Sequence, residues 1–123
     1  MKSWLAVAVG ASVGAWIRWG LSVFLNGTGP IPLGTFIANA VGGLLMGFAL
    51  GVLQTMPNLS DEWRLLMTTG FLGGLTTFST FSAEAFALIQ KQNYGWVGLY
   101  IASHVIVSIV LTMIGYWCVL RWQ

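Results

Sequence analysis

The stretch "GGLTTFSTFSAE", Gly73 to Glu84, decides how this chain is read. Five hydroxyl residues (Thr76, Thr77, Ser79, Thr80 and Ser82) alternate with Phe78 and Phe81, no Lys or Arg intervenes, and Glu84 closes the run. Each glycine of Gly73-Gly74 weakens a helix by about 1 kcal/mol relative to alanine. Thr76 and Thr77 are β-branched, and their hydroxyls compete for backbone partners. The segment therefore predicts a helix that breaks near residues 73–77. At membrane depth, non-helical backbone is tolerated only inside protein or along a wet cavity. Freed carbonyls there suit a bare monovalent cation. A helix restarting near Thr77 or Phe78 aims its N–H groups and positive dipole end at an anion. Phe78 and Phe81, three apart, share a face. Their ring edges favour an anion and their ring faces a cation, and spacing alone leaves that choice open. Thr77, Thr80, Phe81 and Glu84 can lie along one side, with the carboxylate at the end of a polar track.

The surroundings of this segment are lipid-soluble. Of 123 residues, 57% are hydrophobic and 7% charged, with a mean hydropathy of +0.82. Soluble domains carry about 25% charged residues, so lipid must cover most of this surface. The net charge of +2 and the lack of a basic stripe argue against nucleic acid as a partner. The single cysteine, Cys118, excludes an intramolecular disulfide and a cysteine zinc site. There is no second histidine or paired carboxylate for a metal, and no nucleophile–base pair, phosphate loop or cofactor fingerprint. An enzyme is not expected.

A spanning helix needs about 20 mostly apolar residues, and the sparse charges and breakers divide the chain accordingly. Helices are predicted over 3–25, 34–55, 62–90 (with the break near 73–77) and 94–122. The expected fold is an all-α membrane protein, a single transmembrane domain of four helices over 1–123. "NGTGPIP" (Asn26 to Pro32) separates the first two spans. The apolar run after Lys2 resembles a secretory signal, but Arg18 and Trp19 interrupt it, no small-residue cleavage site follows, and it is read as the first span. Trp4, Trp19, Trp63, Tyr94, Trp96, Trp117 and Trp122 fall near predicted ends, where interfacial aromatics belong.

Lys and Arg in short loops set orientation. The N-terminal side holds Lys2, Arg64 and Arg121; the other holds Lys91, and Arg18 if it snorkels outward. So weak a bias permits insertion both ways round. Four helices of one small chain enclose little beyond their own core, so a pathway forms more easily between subunits. An antiparallel, dual-topology homodimer is the expected assembly, with two chains in place of the inverted repeats of many transporters.

Gly10 and Gly14, and the row Asn39, Gly43, Gly47, Gly51, recur at four-residue steps; small-xxx-small rows let helices approach closely. The Asn39 amide, on the same face as Thr35, must find partners or incur about 2–7 kcal/mol, either as structural glue or as a pore-lining donor. Tyr100, His104, Ser108 and Thr112 make one narrow polar stripe on the last helix.

At these residues the sequence resembles a known family. "GASVGAWIRW" (Gly10 to Trp19), "GTFIANAVGG" (Gly34 to Gly43) and "GFLGGLTTFSTFSAE" (Gly70 to Glu84) look like the Fluc family of fluoride channels, also called CrcB proteins. The similarity runs through the whole chain in the same order. It implies a passive, fluoride-selective channel of the bacterial inner (plasma) membrane. Its members are antiparallel homodimers with two pores, which let cytoplasmic fluoride leave. It places Asn39 in the pore wall, Phe78 and Phe81 edge-on to fluoride, and Ser79 and Thr80 beside them as hydroxyl donors. His104, Ser108 and Tyr100 fall on the family's polar track, and Glu84 near a pore mouth. It also implies a structural Na+ at the dimer interface, held by backbone carbonyls at positions corresponding to Gly73 and Thr76 of both chains. Arg18 matches an arginine that is structural or beside an aqueous vestibule.

Fluoride is small and strongly hydrated, so a pore must replace its water with close donors. It must also hold the ion weakly enough to release it. Amide, hydroxyl and ring-edge contacts without a cation at mid-membrane fit that need. The main alternative is a small multidrug-type four-helix exporter, but that needs a buried glutamate in helix 1, where this chain has Arg18 and no acid. A non-transporting accessory protein explains the glycine rows but not the polar ones.

Overall fold

The computed structural model describes residues 2–27 and 29–123; Met1, and Thr28 within the loop expected at 26–32, lie outside them. Helix α1 (Lys2–Leu25) stops before Asn26-Gly27, where Gly27 takes a φ of 123° that side chains resist. Helix α2 (Leu33–Thr55) follows Pro32 and ends ahead of Pro57, each proline being unable to sit inside a helix. The third span, Asp61–Gln90, is built from four pieces. They are α3 (Asp61–Leu65), a π-helical segment (Leu66–Leu72), α4 (Gly73–Leu75) and α5 (Ser79–Gln90). Ser60 precedes it, and Asp61 and Glu62 occupy its first turn, where carboxylates complement the helix dipole. Gln92, at φ 58°, turns the chain into α6 (Tyr94–Arg121).

Among the described residues the four spans are long and apolar enough to cross a membrane. The outer surface is correspondingly apolar: Phe24, Val23, Ile106, Ile109 and many like them are exposed. The tryptophans expected at the span ends are exposed too, Trp4, Trp19, Trp63 and Trp122 among them. The burden of packing falls on small residues. Helix α6 packs chiefly on α2, and the third span chiefly on α1. On the first seam a Cβ at Gly47 would lie 2.8 Å from the Tyr116 nitrogen and collide with the Thr112 carbonyl. On the second, a Cβ at Gly14 would lie 2.7 Å from the Leu75 nitrogen, and one at Gly74 would lie 2.9 Å from the Cα of Ala11. These helices touch backbone to backbone, the arrangement that lipid-embedded helices use in place of a hydrophobic drive.

Two small clusters fill the interior. Ala38, Leu72 and Leu75 join α2 to the third span. Phe81, Ala85, Leu88 and Tyr100 join α5 to α6. The π-helical segment has no counterpart in the sequence reading. Its Thr68 hydroxyl donates to the Arg64 carbonyl at 2.7 Å, and Gly70 within it abuts the Gly10 Cα and the Val7 carbonyl.

Candidate functional site

The site grows from residues 76–78, which lie between α4 and α5. Thr76 is extended (φ −85°, ψ 156°), so the backbone groups around it cannot all pair as in a helix, and each buried one needs a partner. Asn39 meets Thr77 twice. Its Oδ1 accepts the Thr77 N–H at 2.8 Å, and its Nδ2 donates to the Thr77 carbonyl at 3.0 Å. The Thr80 N–H goes to the Thr77 hydroxyl at 3.1 Å, capping α5. In an uninterrupted helix those two N–H groups would bond the carbonyls of Gly73 and Thr76. Both carbonyls are therefore released from helical pairing. The Gly74 carbonyl is instead taken by Arg18, whose Nε donates to it at 3.1 Å.

That contact gives Arg18 a structural partner and leaves the outward, snorkelled position unused. Gly74 lies close to the middle of Asp61–Gln90, so the guanidinium sits at mid-span and does not snorkel to the end of α1. A long side chain turns inward when an unpaired carbonyl lies within reach, and the glycine seam brings one there. The loop-charge count then becomes three on the N-terminal side (Lys2, Arg64, Arg121) against Lys91 alone.

A cavity of about 400 Å3 opens beside the 76–78 junction, lined by Asn39, Thr77, Phe78, Phe81, His104 and Ser108 among others. The second Asn39 amide hydrogen points to His104 Nδ1 at 3.2 Å. His104 is buried among aromatic rings, with centroids 4.7 Å from Phe81, 4.4 Å from Tyr100 and 5.3 Å from Phe36. Phe78 and Phe81 are neighbours, 5.5 Å apart, yet differ sharply in setting: Phe81 is 8% exposed and Phe78 78%. Phe78 thus projects outward over the cavity rim of a single chain.

A second cluster adjoins the first through Phe81 and Tyr100. The Glu84 carboxylate accepts hydrogen bonds from the Thr35 hydroxyl at 2.7 Å, from Asn26 Nδ2 at 3.4 Å and from the Tyr100 hydroxyl. Thr35 and Tyr100 are both 0% exposed, and the Tyr100 ring stacks on Phe81 at 5.4 Å. Beyond Glu84, towards the loops, a second cavity of about 260 Å3 is lined by Asn26, Glu84 and Lys91. The sites expected on α6 thus divide. Tyr100 belongs with Glu84, whereas His104 and Ser108 belong with Asn39. Thr112 bonds the carbonyls of Gly43 and Ser108, at 2.9 and 2.8 Å. Ser79 is exposed, 3.4 Å from the Thr77 hydroxyl, and neither it nor Thr80 lines the larger cavity.

Asn26 was not expected in the site. Its Oδ1 accepts the N–H groups of Gly34 (2.6 Å) and Thr35 (3.4 Å), while its amide reaches Glu84. The signal was available: Pro32 at the start of α2 has no side-chain acceptor, so the first N–H groups of that helix needed one from elsewhere.

The family model described as "CrcB-like protein, Camphor Resistance (CrcB)" matches residues 5–116. A protein of Cupriavidus pinatubonensis named fluoride-specific ion channel FluC is 54% identical over 114 residues, 92% of this chain and 90% of its own length. Those of the same name from Pseudomonas syringae pv. maculicola and Aromatoleum aromaticum are 53% and 48% identical. They cover 94% and 100% of this chain, and 91% and 95% of their own lengths. With that match across nearly its whole length, around glycine seams and an Asn39-clamped junction, the chain belongs to the CrcB family.

Proposed function

We propose that this multi-pass membrane protein is a fluoride channel, a passive conduit and not an enzyme. The relatives at about 50% identity carry that name, and one observation here supports it best. The cavity beside residues 76–78 gathers an amide, hydroxyls, an imidazole and two phenylalanine rings in one place, with no charged side chain in its lining. Such neutral dipoles suit an anion that must be desolvated and then released. A ring of lysines or arginines would retain it.

The route runs from the loop-side cavity at Lys91, past the Glu84 cluster and Phe81, to the Asn39–His104 cavity. Asn39, Phe78, Phe81, Ser79, Thr80, His104, Ser108, Tyr100 and Glu84 form its wall. Phenylalanine edges and Ser/Thr hydroxyls take over the hydration shell. The assembly is an antiparallel homodimer in the inner membrane, with two pores and export of cytoplasmic fluoride. The exposure of Phe78 at the cavity rim supports it, since a second copy would close that side.

The third span works as a broken helix, and its junction suits a structural sodium ion. The released carbonyls of Gly73 and Thr76 are the donor type that binds a bare monovalent cation. Gly73 lies exposed, and a Cβ there would meet only the Thr68 carbonyl, at 3.7 Å. When bound, the ion supplies positive charge that ties the two junctions together. The Gly74 carbonyl, already held by Arg18, stays out of that set.

The test is passive efflux from liposomes containing the purified protein. Fluoride should leave without a proton or sodium gradient, and chloride far more slowly. Equal release of the two halides would reject the reading.

A further inference from the structure

We infer that the crevice between α2 and the first half of the third span is a phospholipid site, with one acyl chain lying in the crevice and the phosphate seated on Arg64. The inference is independent of what the protein conducts.

The third span packs chiefly on α1, and α2 chiefly on α6, so little joins the two pairs at the level of the π-helical segment. A cavity of about 300 Å3 opens there. Leu45, Phe48 and Val52 of α2 form one wall, and Met67, Phe71 and Leu72 of the third span the other. Besides the Trp63 indole, its polar side chains are Arg64 and Thr68. The Thr68 hydroxyl is already given to the Arg64 carbonyl at 2.7 Å. Such walls offer water almost nothing, and apolar cavities of this kind stay dry. A hydrocarbon chain, in contrast, gains dispersion contacts along their whole length. The dimensions agree. From Leu45 to Leu53 the α2 wall covers about 12 Å of helix, against about 15 Å of hydrocarbon in one leaflet. Leu72, at the inner end, adjoins Gly73 near the middle of the third span, and Trp63 and Arg64 lie in its first turns. The crevice thus runs from the membrane surface to its midplane, as an acyl chain does.

The surface end carries the specificity. Arg64 Nε is buried and has no hydrogen-bond partner among the described residues. A buried donor of a charged group is costly to leave unmatched, and the planar guanidinium fork fits a phosphate. Trp63, beside it, is 57% exposed and is the residue type that settles at headgroup level, the depth of a lipid phosphate. An uncharged tail would fill the crevice and leave Nε unmatched. A free phosphate would match Nε and leave the crevice unfilled. A phospholipid does both. Asp61 and Glu62 stand in the same turn as Arg64, so a headgroup of one negative charge fits better than a polyanionic one.

The full-length protein, stripped of lipid in detergent, is titrated with dioleoyl phosphatidylglycerol, and bound lipid is counted by native mass spectrometry. One lipid per chain should bind above the weak background of annular lipid and raise the unfolding temperature. Inorganic phosphate should do neither. Arg64→Met keeps the stem and loses every donor, and should weaken lipid binding by roughly ten- to a hundredfold, the worth of one hydrogen bond to a charged group. Ala49→Phe sets a ring into the crevice from the α2 wall and should weaken it to a similar degree; Ala49→Leu is the milder filling if the ring is not tolerated. Without lipid, Arg64→Met should unfold close to the wild-type temperature, and with lipid it should lack the rise. Unchanged lipid affinity in Arg64→Met or in the filled crevice means annular lipid only and overturns the inference. Phosphate binding as tight as that of the lipid would make Arg64 a plain anion site and overturn it too. Loss of a dimer on filling the crevice, with lipid binding unchanged, would place a second copy there instead.

Discussion

The Asn39 side chain and the Thr77 backbone form a two-way pair, N–H to Oδ1 at 2.8 Å and Nδ2–H to carbonyl at 3.0 Å. A side-chain amide here stands in for a missing turn of helix, and it joins α2 to the third span where the backbone is otherwise unpaired. Asn39→Ala should therefore destabilise the protein by about 1–3 kcal/mol, the cost of leaving a buried backbone group unmatched, and should also lower fluoride flux sharply. Thermal unfolding in detergent and liposome efflux measure the two effects. Unchanged stability would show that Thr77 finds another partner.

Phe78 and Phe81 should separate folding from transport. Phe81 is packed against Tyr100 and His104, so Phe81→Ala should cost about 3–5 kcal/mol, as large core truncations do. Phe78 is 78% exposed, and Phe78→Ala should leave subunit folding nearly unchanged. Both variants, and the better-packed Phe81→Ile, should depress fluoride efflux. Wild-type efflux from Phe78→Ala would remove that ring from the pathway.

The glycines offer a sharper contrast. Gly47→Ala drives a methyl into the Thr112 carbonyl and against the Tyr116 nitrogen, which should part α2 from α6 and lower the unfolding temperature. Gly73→Ala has open space before it, with its nearest neighbour at 3.7 Å. It should leave the single-subunit fold intact and act only on what docks at that surface. Size-exclusion chromatography and the sodium dependence of stability distinguish these; equal destabilisation by both variants would contradict the seam assignment.

Around Glu84, a double-mutant cycle with Glu84→Gln and Thr35→Val should reveal a coupling of about 0.5–3 kcal/mol, as expected for residues in one hydrogen-bond network. Additive losses in stability would mean that the 2.7 Å contact contributes little.

Arg18→Leu strips the Gly74 carbonyl of its partner and should destabilise by about 1–3 kcal/mol, seen as a lower unfolding temperature. Stability equal to wild type would place the guanidinium away from that carbonyl.

The spans were legible because eight Lys, Arg, Asp and Glu residues and a few prolines cut an apolar chain into membrane-length pieces. The density of hydroxyls around Phe78 and Phe81 also drew attention to residues 76–78, which lie between α4 and α5. The long-range pairings were not legible. Periodicity puts Asn39 and Thr35 on one face, but which backbone each meets depends on where α2 crosses the third span. The sequence leaves open whether Arg18 snorkels or turns inward, because its position along α1 says nothing of the Gly74 carbonyl opposite it. The even spacing of Tyr100, His104, Ser108 and Thr112 suggested one continuous stripe. In the fold the two rings touch, 4.4 Å apart, but their polar ends diverge, so Tyr100 bonds Glu84 while His104 faces Asn39.

The released carbonyl at Gly73 gives the subunit an unfinished edge. In hydrocarbon that dipole has no water to lean on, so an isolated chain diluted into lipid should be the disfavoured species and exchange of chains between assemblies slow. Were the proposed dimer and its sodium ion to form there, assembly and ion capture would be one event, and a membrane poor in that cation would hold loosely assembled, conduction-incompetent protein.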